Sequence, residues 1–252
     1  MDLGLTGKTA LVVGGSRGIG LGTAEQLLAE GARVTIASHT DQAFRAAETL
    51  AEQYGDRVRA LTLDLASAES ATAALAEVVE TWGAPIDALF ISGGGPKAST
   101  FLESDDDAWR QAFESVFLGP LRMAREAVPS MAPGGCIAFV LSTSVHSPIP
   151  GLVLSNGLRP GVAMAAKSLS DELAPRGIRV VGIIPGRIAT DRTLAVDAAN
   201  PEVSRVRNAA IPLGRLGTVA EVAKVAAFIL SPAASYVTGS FIAVDGGALR
   251  IL

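Results

Sequence analysis

Directly after the apolar run 10–13 and directly before a helical pattern, the chain reads Gly14-Gly15-Ser16-Arg17-Gly18-Ile19-Gly20. Glycines at this spacing permit a tight turn, a close approach of backbone to a bound group, and close packing of the helix on the preceding strand. The helix offers unpaired N–H groups and the positive end of its dipole, a combination that holds phosphate. In a strand–turn–helix unit this pattern suits the pyrophosphate of a dinucleotide. About 20 residues further on, an acidic side chain would accept from a ribose 2′-OH and repel a 2′-phosphate. The chain has Ser38-His39-Thr40 there, and Arg17 can face the same spot. A hydroxyl, an imidazole and a guanidinium favour the phosphate, so NADP(H) is the expected cofactor. Asp41 keeps NAD(H) as the lesser alternative.

A turn of this kind needs strands and helices to position it, and the rest of the chain supplies them. Apolar runs at 10–13, 33–37, 58–63, 88–91, 137–141, 178–184 and 241–244 alternate with helical patterns near 18–30, 41–53, 68–82, 105–131, 155–175 and 219–230. Continuous apolar strands imply burial on both faces, and the helices between them imply right-handed parallel crossovers. Thr218 with Glu221 predicts a capping box opening the last helix. Ser104, followed by three aspartates, predicts an N-cap with negative charge in the first turn. The expected fold is an α/β, doubly wound parallel sheet of about seven strands, Rossmann type, in a single domain over 1–252. The alternation alone would also suit a barrel, and the phosphate-site motif decides between the two.

Composition bounds the partners. Of 252 residues 49% are apolar but only 5% aromatic, so the core must be built mainly from Ala, Val, Leu and Ile. A net charge of −4 gives no footprint for nucleic acid or an anionic membrane. The single cysteine, Cys136, cannot form an internal disulfide, which fits a reducing cytoplasm. The first apolar run stops at a glycine pair, unlike a signal peptide. No run approaches the roughly 18 apolar residues of a membrane helix. The expectation is a soluble, cytoplasmic protein that binds a small-molecule substrate and no metal.

Several motifs in order resemble the short-chain dehydrogenase/reductase family, over essentially the whole chain. Gly14-x-x-x-Gly18-x-Gly20 has the family's spacing, with Ser16, Arg17 and Ile19 inside the loop. Asp64-Leu65 matches its adenine-contacting position, and Ser92-Gly93-Gly94 stands where it has Asn-Ala-Gly after the fourth strand. Pro185-Gly186-x-Ile188-x-Thr190 is similar to the loop that holds the nicotinamide carboxamide. Pro212-Leu213-Gly214-Arg215, Tyr236-Val237-Thr238-Gly239 and Val244-Asp245-Gly246-Gly247 resemble the C-terminal signature. The resemblance implies a homotetramer or homodimer built on helices near 105–131 and 155–175.

The resemblance also implies a catalytic Asn, a Ser, and a Tyr-x-x-x-Lys pair, and here the chain departs. Ser142, closing the fifth strand, keeps the family's serine. The tyrosine position, 13 residues on, is Ser155, and one turn later the lysine position is Arg159. The asparagine position reads Val116. A serine hydroxyl is a far weaker acid than a phenol, and arginine stays protonated, so neither replaces the lost acid directly. Arg159 can still bridge ribose hydroxyls or a phosphate. The only tyrosines, Tyr54 and Tyr236, lie elsewhere in the chain. His146, in the loop that borders the family's substrate pocket, carries an imidazole suited to proton transfer and is one stand-in for the acid. Lys97 is another. The reading is an NADP(H)-dependent oxidoreductase acting on a carbonyl or alcohol, with Ser155 and Arg159 in place of Tyr and Lys. The alternative is an NADP(H)-binding sensor or scaffold without turnover. Dehydration or enoyl reduction is a third reading, and enoyl reduction lacks a suitably placed tyrosine. Loop 189–210, which should close over the substrate, shows no specific feature in sequence.

Overall fold

Seven parallel strands form one sheet in the order β3-β2-β1-β4-β5-β6-β7 in a computed structural model, which describes residues 1–251. The strands are β1 (Thr9–Val13), β2 (Arg33–Ser38), β3 (Val58–Thr62), β4 (Ile86–Ile91), β5 (Met131–Val140), β6 (Arg179–Pro185) and β7 (Phe241–Val244). Helices α1 (Gly18–Ala29), α2 (Gln42–Tyr54), α3 (Ala68–Trp82), α4 (Asp106–Ala112), α5 (Gly119–Ala127), α6 (Val153–Leu173), α7 (Asp191–Ala199), α8 (Pro201–Ala209) and α9 (Val219–Leu230) connect them. The strand order reverses between β1 and β4. A crevice opens at such a point, beyond the carboxyl ends of the strands, and it receives ligands in open α/β sheets.

The sheet is buried on both faces, as the unbroken apolar runs require. Ala10, Val12, Val34, Ile36, Phe90 and Val181 face one way, against Leu27, Leu28, Ala226 and Ile229 of α1 and α9. Leu11, Val13, Leu89, Ile91, Ile137 and Phe139 face the other, against Leu75, Met123, Val162 and Ala166 of α3, α5 and α6. Each fully buried Leu, Ile or Phe stabilises the fold by about 1.5–3 kcal/mol relative to exposure. Small alanines on the helices let them lie close to the strands. Cys136 sits inside this core, where burial pushes its thiol up to about 12.

The capping box at Thr218 and Glu221 forms as the sequence predicts. Arg215, from the C-terminal signature, grips both carboxylate oxygens of Glu221 at 2.9 and 2.6 Å. That guanidinium, with the Thr218 N–H and hydroxyl, holds the Glu221 carboxyl down at about 2.

Three local expectations need correction. The cap of α4 is Asp105, whose carboxylate accepts from the Ala108 N–H at 2.8 Å; Ser104 instead donates to the Thr100 carbonyl. A carboxylate one residue nearer the helix outcompetes the hydroxyl. The pattern 105–131 is not one helix either. It divides into α4, a π-helical segment (Phe113–Leu118) and α5, because Pro120 has no N–H to give the carbonyl four residues back. Finally, 189–210 contains α7, capped by Thr190, and α8, opened by Pro201.

Candidate active site

The glycine turn joins β1 to α1 as its spacing predicts. Gly14 has φ +72°, and a Cβ there would lie 1.9 Å from the Ser92 carbonyl oxygen at the end of β4. A Cβ on Gly20 would lie 2.2 Å from the Gly14 carbonyl, so α1 packs directly on its own turn. Helices α3, α4, α7 and α9 each carry a side-chain cap, from Ser67, Asp105, Thr190 and Thr218. Helix α1 has no side-chain cap and no acid in its first turn. Its amino end therefore keeps its N–H groups for an outside anion. Arg17 precedes it in extended conformation, with its side chain exposed. These residues fit a dinucleotide pyrophosphate.

The neighbouring loops converge on the same crevice. Ser38 ends β2 buried, its hydroxyl donating to the Thr40 carbonyl at 2.9 Å, while His39 stands exposed. Asp64 bends the loop after β3 by accepting from the Ala66 N–H. Arg122 of α5 holds that loop through the Leu65 and Ala66 carbonyls, both at 3.1 Å. On the far side, Thr190 Cγ2 lies 3.4 Å from where a Gly18 Cβ would be, so the loop after β6 touches the glycine turn. Ile188 is buried and pairs with Gly217, and Gly186 packs on Asp245 beside Pro185. Gly93 packs near Leu65, and Gly94 opens onto free space.

At the carboxyl end of β5, Ser142 caps a short 3-10 turn, accepting from the Ser144 N–H at 3.2 Å. The hydroxyl that meets Ser155 is that of Ser144, a residue that sequence reasoning missed; the two oxygens lie 3.2 Å apart, both buried. Arg159 reaches back from α6 to donate to the Val140 carbonyl at 2.7 Å. It lines a narrow cavity of about 10 Å³, room for one water, with Gly93, Gly94 and Val116. Burial and then the nearby charge of Arg192 lower its pKa to about 10, so it remains a cation at neutral pH. Gly157 and Gly161 let α6 approach Trp109 and Phe117, where any Cβ would clash at 2.7 and 2.6 Å. Asn156 clamps the preceding loop through both the N–H and the carbonyl of Ile149. His146 lies at the end of the 3-10 turn with its side chain exposed, and Lys97 is exposed as well.

Helices α7 and α8 follow the loop after β6. Arg187 bridges Asp197 and Asn208, and Ser204 donates to the same Asp197 carboxylate. Those bonds, that of Ser204 foremost, hold the Asp197 carboxyl below the usual range. Arg192 crosses from α7 to the loop after β4, donating to the Gly95 and Pro96 carbonyls at 3.3 and 3.1 Å. Its type and place could have been read in the sequence, but its partner is 97 residues away. Among the described residues, no His, Cys, Asp and Glu side chains gather as a metal site, and no helix is long and apolar enough to cross a membrane.

The relatives and solved structures that this chain resembles are described as dehydrogenases and reductases. Residues 13–248 match the family model described as enoyl-(acyl carrier protein) reductase. The galactitol 2-dehydrogenase (L-tagatose-forming) of Cereibacter sphaeroides is 36% identical, over 96% of this chain and 95% of its own. The structure of L-sorbose reductase from Gluconobacter frateurii, in complex with NADPH and L-sorbose, superimposes with a TM-score of 0.93 at 31% identity, covering both chains fully. An NADPH-bound short chain oxidoreductase of Pseudomonas aeruginosa, described as containing an atypical catalytic center, is 33% identical with a TM-score of 0.90, over 97% and 98% of the two chains. The glycine turn at the β1–β4 switch point, the carboxamide-type loop touching it and these likenesses together show that this chain belongs to the short-chain dehydrogenase/reductase family.

Proposed function

We propose that this chain is an NADP(H)-dependent oxidoreductase acting on a carbonyl or alcohol, with Arg159 and a buried serine pair where relatives carry lysine and tyrosine. The observation that carries the reading is the free amino end of α1, held over glycines at which any side chain would meet backbone. The L-sorbose reductase and Pseudomonas aeruginosa relatives are NADPH complexes, and the second is described as atypical at its catalytic center. Bound NADPH would supply the hydride. The chain's own part is to hold charge and move a proton. Arg159 opposes the negative charge that grows on the substrate oxygen, an effect strengthened where water is scarce. The Ser144–Ser155 pair would pass to the substrate oxygen a proton that solvent water supplies, each hydroxyl giving one proton as it accepts another, since a serine hydroxyl is a very weak acid. Val116 removes the amide that the family uses to anchor a relay water, and the cavity beside it retains room for one water.

Cofactor preference rests on Arg17 and on the lack of an acid at the end of β2. Calorimetry should find NADPH bound more tightly than NADH, and Arg17→Ala should weaken NADPH by about tenfold while leaving NADH nearly unchanged. Equal affinities in the native protein would overturn this preference.

The second reading, an NADP(H) sensor or scaffold, draws on the same departures: Ser155 is buried against Ser144, and Val116 is apolar. NADPH oxidation against a panel of ketones, quinones and acyl thioesters separates the two. Turnover with any of them supports the enzyme.

We also propose a cytoplasmic homotetramer, or at least a homodimer. Met164 of α6 is 70% exposed, and Phe113, at the start of the π-helical segment, is 41% exposed in a cleft that Trp109 and Leu158 also line. Light scattering at micromolar concentration should give a multiple of the 25.7 kDa chain mass, and a monomer mass would refute the assembly.

A further inference from the structure

Two guanidiniums reach the loop after β4 from different helices, Arg159 beside Gly93 and Gly94 and Arg192 at Gly95 and Pro96. Arg159 enters from α6 and lines the narrow cavity with Gly93 and Gly94. Arg192 enters from α7 and rests on the Gly95 and Pro96 carbonyls of the same loop. Among the described residues neither guanidinium forms an ion pair with a carboxylate. No acid lines the cavity, whose other walls are apolar side chains and glycine backbone. A sunken cation without a counter-charge is costly, and a second cation nearby raises that cost. An anion that reaches such a pair would supply the missing counter-charge, and a guanidinium fork suits the two oxygens of a carboxylate. In the free protein Arg192 makes only two neutral hydrogen bonds, which a charged partner would replace.

We propose that Arg159 and Arg192 together receive an anionic group on the substrate, so that the carbonyl or alcohol reduced or oxidised here also carries a carboxylate or a comparable anion. This rests on the crevice being the oxidoreductase site proposed above and names the class of substrate it takes. Arg192 is then a specificity-determining residue of α7, and its bond to the anion would close α7 over the bound molecule. The same chemistry is offered by the pyrophosphate of the cofactor, whose place at the amino end of α1 adjoins Thr190. The experiment therefore has to tell the two anions apart.

Calorimetric titration of the NADPH-loaded protein with benzoylformate and with its methyl ester reads the anion directly, because the two probes differ by one charge. Benzoylformate should bind at least about tenfold more tightly than the ester, the worth of a hydrogen bond between charged groups. Arg192 is exposed, so Arg192→Leu leaves the fold intact. That variant should reduce the preference to under about threefold while NADPH affinity stays within about twofold. Arg192→Lys, which keeps the charge and loses the fork, should retain part of it. Equal binding of acid and ester by the native protein, or binding of neither, overturns the proposal. So does an Arg192→Leu protein that loses NADPH about tenfold with no change in acid preference, since the guanidinium then serves the pyrophosphate. A native protein that does not bind NADPH refutes the cofactor reading instead, and the same pair of probes on the unloaded protein still tests the anion site.

Discussion

Gly14→Ala should abolish NADPH binding and destabilise the fold by more than about 3 kcal/mol. Two costs combine at this position. A non-glycine residue held at φ +72° costs on the order of 1–3 kcal/mol. The new Cβ would lie 1.9 Å from the Ser92 carbonyl oxygen, which is backbone and cannot swing aside. Either the turn lifts off the end of β4 or the end of β4 moves, and both displace the amino end of α1 from the phosphate site. Gly7 provides the control, with φ +74° and nothing within 4 Å of its hypothetical Cβ. Gly7→Ala should show the conformational cost alone, with NADPH affinity unchanged. Denaturant unfolding and calorimetry on both variants measure the contrast. Native NADPH affinity in a folded Gly14→Ala protein would show that the cofactor does not sit on this turn.

The parts of the site that were legible in the sequence are those fixed by local chemistry. A run such as Ala10 to Val13, buried on both sides, has to be apolar at every position, and a turn that backbone must approach has to be glycine. Gly14 and Gly20 could therefore be read before any coordinate, and so could the capping box at Thr218 and Glu221, whose two halves lie within one helical turn. The Ser142, Ser155 and Arg159 positions are those that the family resemblance implies. What escaped was long-range or competitive. Ser144 meets Ser155 because the 3-10 turn folds it inward, and nothing in the string Ser142-Thr143-Ser144 says which hydroxyl will do so. The hold of Arg192 on Gly95 joins segments far apart in the chain. The break at Pro120 was marked by its residue type, yet the amphipathic pattern on either side of it read as one helix. Loop 189–210 looked featureless because α7 and α8 bury little of their own surface. Helices that bury so few residues leave a weak hydrophobic pattern.

His146 is the residue whose sequence position promises most and whose surroundings support it least. It lies four residues past Ser142, but its ring is exposed at the end of the 3-10 turn, and no hydrogen bond orients it. A general acid has to be within hydrogen-bond reach of the proton it gives, geometry coming before pKa. The arrangement therefore directs attention to α6, where Ser155 and Arg159 stand one turn apart, Arg159 on the cavity and Ser155 buried against Ser144.

Ser155→Tyr combined with Arg159→Lys should raise NADPH-dependent ketone reduction by about 10²-fold, towards the low end of the 10²–10⁴ that a positioned proton donor supplies. Lysine would lower the phenol pKa from about 10, as a cation beside an acid does. The gain stays at the low end because Val116 offers no amide for a relay water. Ser155 is only 4% exposed and its hydroxyl meets Ser144, so the larger ring has to turn towards the cavity that Arg159 vacates. Overpacking of this kind costs about 1–3 kcal/mol, and unfolding measurements should show the double variant less stable but folded. Adding Ser144→Gly should recover part of that loss and keep the rate gain. His146→Ala should change native turnover by less than about threefold, in line with its exposed position. The comparison needs steady-state rates and NADPH affinities for all four proteins. A folded, NADPH-bound double variant no faster than the native chain would show that Ser155 does not stand in the tyrosine's place. Loss of native activity in His146→Ala, with cofactor affinity intact, would move the proton donor to the 3-10 turn and leave the serine pair a purely structural contact.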